Sequence, residues 1–226
     1  YSSAILGTAG LLDYWRLGEA TGTTFADSKG TSPATSSGAT LGVGGALSGD
    51  TNGAARFDGV SNFANANLNL SATQTITVEF WLKWNAFDSN DDLAMEFTPN
   101  FNNNTGGFLI DPNAGSQFGI GIGSDAARNN VYFARPSAGV WHHYAFVLDA
   151  TAPAATQITP YVDGQPVTYS KGSSGTGAGA FANSTLYFMS RAGAALFGAG
   201  DLDEVAIYNG ALSPTTIANH YAAGTP

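Results

Sequence analysis

Apolar and polar residues alternate with period two along much of the chain, the signature of strands with two distinct faces. In "ITVEFWLKW" (76–84), Ile76, Val78, Phe80 and Leu82 point one way and Thr77, Glu79, Trp81 and Lys83 the other, which predicts a half-buried strand. The run from Val140 to Leu148 is apolar on both faces and predicts a central strand. "LLDYWRLGE" (11–19) reads as a short aromatic strand, and "STLYFMSR" and "LDEVAIYN" read as the last two strands.

Turn chemistry separates these runs. Asp163-Gly164 sits between two β-type segments and predicts a two-residue type I′ hairpin. "FLIDPNAGSQFGIGIG" reads as two strands around an Asp-Pro-Asn turn, and "NAFDSNDD" as an acidic turn. The Gly-, Ser- and Thr-rich stretch from Ala20 to Ala54 reads as loops with brief strands. "LSPTTIANHYAAG" predicts a short helix capped by Ser213, with Pro214 at its first position and Gly224 just beyond its end. About a dozen strands and one terminal helix, without a break in composition, fit an all-β, two-sheet antiparallel jelly-roll sandwich. It would form one domain over 1–226 with a core from about 11 to 222.

Composition narrows the function classes. Seventeen acidic against eight basic residues give a net charge of −9, which disfavours nucleic acid as a partner. The absence of cysteine removes disulfides and thiolate metal sites. No run of 18 apolar residues predicts a membrane span. The chain starts at Tyr1 without methionine or leader, which reads as a segment of a longer or processed precursor.

The ordered series "YWRLGE" (14–19), "FADSKG" (25–30), "ARFDGVSNF" (55–63), "ITVEFWLKW" (76–84), "WHHYAFVLD" (141–149), "YVDG" (161–164) and "DLDEVAIYNGALSPTTIANHY" (201–221) resembles the bacterial laminin G-like domains of the concanavalin A-like lectin/glucanase superfamily. That resemblance implies a jelly roll used as an accessory module for carbohydrate binding or adhesion in a larger secreted or surface protein. Its partners would be a polysaccharide or other glycan, or a protein, and the neighbouring domains of its parent chain. The long polar stretch "NAFDSNDDLAMEFTPNFNNNTGGF" departs from the family pattern.

By the same resemblance a structural calcium ion joins an early turn to the last strand, with Asp27 and Asp203 as carboxylate ligands and Gly30 lending its carbonyl. Calcium takes six to eight oxygen ligands in irregular geometry. The other reading of these residues is an Asx-type turn at Asp27 and backbone N–H bonds to Asp203. Period-two geometry sets Glu204 opposite Asp203, where an arginine such as Arg16 is a candidate partner. Adjacent His142 and His143 project to opposite strand faces and so do not share a metal.

For sugar binding, Trp81 and Glu79 lie on the polar face of their strand, while Arg128, Asn130 and Tyr132 supply hydrogen-bonding groups and a second aromatic ring. Trp15 and Trp141 read as core residues. The hydrolase pattern Glu-x-Asp-x-x-Glu does not occur, nor does a Gly-x-Ser-x-Gly elbow, so the expectation is a non-catalytic module. The alternatives are a spacer or protein-binding adhesion domain and, less favoured, a polysaccharide hydrolase or lyase.

Overall fold

The computed structural model describes residues 1–87, 90–123, 128–175 and 179–225. It is a sandwich of two antiparallel sheets. The first sheet runs in the order β14 (Gln165–Pro166), β13 (Ile158–Val162), β12 (His142–Asp149), β7 (Thr75–Trp84), β17 (Ala199–Asn209), β5 (Gly53–Asp58) and β4 (Thr40–Gly44), with β1 (Leu11–Trp15) also paired to β17. The second runs β15 (Ser170–Ser174), β11 (Asn129–Phe133), β10 (Gln117–Gly123), β9 (Gly107–Ala114), β8 (Met95–Phe97), β16 (Asn183–Phe188), β6 (Phe63–Asn69), β3 (Ala34–Ser37) and β2 (Thr24–Phe25). The strands beyond the expected dozen are short, and β2, β3 and β4 lie in the Gly/Ser/Thr-rich stretch.

Inward side chains of both sheets form one core. Ile76, Val78, Phe80 and Leu82 of β7 meet Phe108, Ile110, Phe118, Ile120 and Ile122 of β9 and β10, all essentially without solvent exposure. Phe118 stacks on Phe133 and on Tyr144 at ring distances of 4.8 and 4.9 Å, joining the two layers through aromatic faces.

The expectation that β7 is half-buried needs correction: Thr77, Glu79 and Trp81 on its other face are buried as well. Two helices cover that face. α1 (Ser2–Gly7), which the sequence pattern did not reveal, brings Ile5 against Leu11, Tyr14 and Tyr208. α2 (Pro214–Gly224) starts where expected: Ser213 Oγ accepts the Thr216 N–H at 3.1 Å. Gly224 is its last helical residue rather than the one beyond. A β-carbon there would fall 2.7 Å from the Trp81 ring, so the absence of a side chain lets the helix end press onto the indole.

Asp163 and Gly164 both take left-handed backbone angles (φ 49° and 73°), as a type I′ hairpin requires. The Asp-Pro-Asn turn is not formed: residues 111–113 continue β9, and the chain reverses at Gly115 with φ 59°. Glycine tolerates that angle without cost, whereas a strand interior tolerates Pro112 only where its missing N–H is not needed. Residues 88 and 89 of the acidic turn lie outside the described residues.

Candidate functional site

Asp201, Asp203 and Glu204 open the last strand of the first sheet and are all buried. They are not a solvated strand entrance. Asp201 holds Arg56 at 2.6 Å and Lys83 at 2.7 Å, and these two cations keep its carboxyl below the usual range against the opposing effect of burial. Glu204 has a left-handed backbone (φ 54°) in a β-bulge that shifts the register between Asp203 and Ala206. The bulge breaks the period-two count, and Glu204 turns to Tyr14, whose hydroxyl donates to it, and to Arg16. The arginine partner suggested for Glu204 is therefore present, but strict alternation does not explain its direction.

The residues proposed for calcium do not all meet. Asp27 Oδ1 accepts the N–H groups of Tyr14, Lys29 and Gly30 at 2.8–3.0 Å, and Oδ2 accepts that of Ser32. Asp203 Oδ2 accepts the Ala46 N–H at 2.9 Å, and its Oδ1 has no partner among the described residues. Both carboxylates thus make the backbone contacts of the alternative reading. Strand β1 lies between them: Trp15 pairs with Val205 on one side and with Asp27 on the other.

The oxygens that gather at the early turn come from elsewhere. A β-carbon on Gly30 would fall 2.5 Å from Asp27 Oδ2 and 2.8 Å from both Asp13 Oδ1 and the Leu12 carbonyl oxygen. Burial, then the adjacent Asp27 carboxyl, pushes Asp13 up to about 7. No group of three or more His, Asp or Glu side chains among the described residues is placed to hold a metal. Two carboxylates and the Leu12 carbonyl are hard oxygen donors, fewer than the six to eight oxygens that calcium takes in full.

The five residues considered for sugar binding divide between the two sheets. Glu79 and Trp81 are corrected to interior residues. Glu79 accepts the Tyr208 hydroxyl at 2.6 Å and lies 3.0 Å from His220 Nδ1 of α2, while Trp81 stacks on Tyr221 of the same helix at 5.8 Å. Helix packing hides both from any ligand. The adjacent histidines face opposite ways: His142 Nδ1 meets Asp163 at 2.8 Å, and His143 is packed against Trp81 with its imidazole pushed down to about 4 by burial.

Arg128, Asn130 and Tyr132, by contrast, line one cleft of about 480 Å³ on the outer face of the second sheet. A smaller pocket adjoins it at Asp111, Asn130 and Tyr132, and its floor follows from "GIGIG": Ile120 and Ile122 fill the core, so Gly119 and Gly121 face outward and leave the sheet bare. Tyr132 lies across that floor, since a β-carbon on Gly119 would fall 3.0 Å from its ring and one on Gly172 of β15 would fall 2.2 Å away. Asn130 is 8% exposed; its Nδ2 donates to the Tyr132 hydroxyl at 3.3 Å, and its Oδ1 has no partner among the described residues.

Asp91, Asn102, Asp111, Gln117 and Arg191 complete the polar wall. Sequence reasoning missed these five, although the outward glycines of "GIGIG" were a readable sign of a groove. Burial, with the charges of Asp91 and Asp92, pushes Asp111 up to about 7, while backbone N–H bonds from Asn113 and Asp92 oppose that rise. Arg191 is positioned by Glu96, whose two oxygens lie 3.0 Å from its Nε.

The fold is shared with structures of very different sequence. Trypanosoma rangeli sialidase in complex with sialic acid is 16% identical with a TM-score of 0.68, the match covering 96% of this chain and 33% of the sialidase. The binding domain of botulinum neurotoxin serotype C1 is 10% identical with a TM-score of 0.68, covering 94% of this chain and 51% of that one. That of serotype G is 13% identical with a TM-score of 0.65, covering 93% and 50%. The chain thus spans about a third of the sialidase and about half of the toxin domains. No curated protein matches it by sequence. The family Laminin_G_3, of the concanavalin A-like lectin/glucanases superfamily, matches residues 56–218, and with most of its length inside that match the chain belongs to this family.

Proposed function

We propose that the protein is a non-catalytic carbohydrate-binding module that serves adhesion within a larger secreted or surface protein and takes its ligand in the cleft of the second sheet. The observation that carries this reading is the bare glycine floor crossed by Tyr132, with Asn130, Asp111, Gln117 and Arg191 around it. A sugar ring offers an apolar face to an aromatic ring and hydroxyls to planar polar groups, and the cleft volume falls within the roughly 300–1,000 Å³ of small-molecule sites. The sialidase with bound sialic acid shares the fold over a third of its length, which supports a sugar-recognising reading.

The second part of the proposal is a structural calcium ion held by Asp13 and Asp27, with Leu12 and Gly30 beside them. Such an ion would offset the repulsion of two neighbouring carboxylates and tie the early turn to β1. It replaces Asp203 with Asp13 in the ligand set.

Hydrolysis is a second reading, favoured by Asp91 and Asp111 facing one cleft with Asp111 raised toward the range of a general acid. Against it, the N–H bonds to Asp111 favour the ionised acceptor. A glycan array probed with and without chelator tests the module reading: absence of hits at high protein concentration leaves the spacer or protein-binding domain. Release of new reducing ends from common polysaccharides would establish the hydrolase instead.

A further inference from the structure

Outward glycines on β10 would by themselves leave an open groove along the strand, the shape that receives an internal stretch of polymer. The groove is stopped. At Gly121 a β-carbon would fall 3.0 Å from Phe101 Cζ and 3.0 Å from Asn130 Oδ1, so the ring and the amide cover the bare sheet at that point. Phe101 is fully buried although it sits on the outer face.

The segment that carries it is braced rather than merely draped over the sheet. The Phe101 N–H donates to Glu96 Oε1 at 2.6 Å, and buried Glu96 is held in turn by Arg191. Asn100 closes the turn: its Oδ1 accepts the Asn102 N–H at 3.0 Å, and its carbonyl accepts Asn104 Nδ2 at 2.7 Å. The Asn-rich stretch that departs from the family pattern thus lends Asn102 to the cleft wall and sets Phe101 over Gly121 beside it. Beside Phe101, Asn130 Oδ1 is a buried acceptor with no donor among the described residues.

We infer that the cleft is a terminal-sugar pocket: Phe101 stops it at Gly121, so it receives the end of a glycan chain and excludes an internal stretch, with a hydroxyl of the end sugar donating to Asn130 Oδ1. This rests on the carbohydrate reading above.

The test uses the whole chain on an array of oligosaccharides in matched pairs, each carrying one terminal sugar either free or capped by a further residue. Hits should share a terminal sugar whatever chain lies beneath it, and capping should lower affinity at least tenfold. Binding that survives capping, or affinity that keeps rising with chain length in a titrated oligosaccharide series, overturns the inference and leaves the carbohydrate reading intact. An array without hits overturns both. Phe101→Ala, checked for folding by near-ultraviolet circular dichroism, should gain binding to the capped partners; a folded variant with unchanged preference counts against the inference. Should that variant not fold, the matched pairs on the unmodified chain decide alone.

Discussion

Arg16 lays its guanidinium along Glu204, with Nε and Nη2 3.0 and 2.9 Å from Oε1, and so ties β1 to the bulge of β17 across 188 residues of chain. The Glu204 side chain is wholly buried and that of Arg16 is 29% exposed, so the carboxylate depends on this partner more than the arginine does. Removing Arg16 leaves the Glu204 carboxyl, which burial pushes up to about 8, without the charge that favours its ionised form. Arg16→Ala is expected to lower unfolding free energy by about 3 kcal/mol in urea denaturation. Glu204→Gln, which keeps an acceptor for Tyr14, should cost less. A loss under about 1 kcal/mol for Arg16→Ala would place the pair among ordinary surface bridges.

The cleft and the helix-covered face should separate cleanly on mutation. Tyr132→Ala is expected to weaken binding of any array hit about tenfold, equivalent to about 1.4 kcal/mol, with little change in Tm. Gly172→Ala should weaken it too, because the new β-carbon displaces the Tyr132 ring. Trp81→Ala should do the reverse, lowering Tm by several degrees while leaving affinity unchanged, since the indole packs under α2. Isothermal titration and thermal unfolding of the three variants check this, and a binding defect in folded Trp81→Ala would move the site to the other sheet.

Calcium at the early turn is expected to raise unfolding stability relative to EGTA by about 2.7 kcal/mol at one hundred times Kd. Asp13→Asn and Asp27→Asn should abolish the increment. Asp203→Asn should retain it, because a strand separates that carboxylate from the turn. Loss of the increment in both Asp27→Asn and Asp203→Asn, with Asp13→Asn retaining it, would restore the ligand set expected from the resemblance.

Stability in EGTA should fall as pH rises from about 6.5 to about 8. Burial pushes Asp203 up to about 8, and burial with Asp27 pushes Asp13 up to about 7, so the folded state keeps protons that the unfolded chain releases near pH 4. Their contribution is complete below about pH 4 and is lost as pH climbs to about 8. His143 acts oppositely at lower pH: lowered to about 4, it favours unfolding as pH drops from about 6.5. Between pH 6.5 and 8.5 the carboxyl groups dominate, so Asp203→Asn should flatten the pH dependence of the urea midpoint there. An unchanged slope would contradict the assignment.

Much of the architecture was legible because strands announce themselves locally. Period-two alternation in β7, the Asp163-Gly164 turn and the Ser213 cap are short-range effects, and each is found at its expected residues. The Asp-Pro-Asn turn failed for the opposite reason: Asp111 and Ala114 pair with β10 on either side of a register shift that takes up Pro112 and Asn113, while Gly115 took the reversal.

The sequence by itself determined the sandwich, its terminal helix and the family, since alternation, turn residues and an ordered set of segments are properties of the chain read in line. Which side of each strand faces water was decided only in three dimensions. Glu79 and Trp81 look like a solvent face until α2, more than 130 residues later, lands on them, and Arg128, Asn130 and Tyr132 come to line one cleft only because distant segments wall their sheet. The acidic cluster shows the same limit: one left-handed residue, Glu204, resets the alternation and delivers its carboxylate to Arg16. Contacts between residues far apart in the chain depend on how the layers stack, and a local pattern of polarity cannot encode what will cover it.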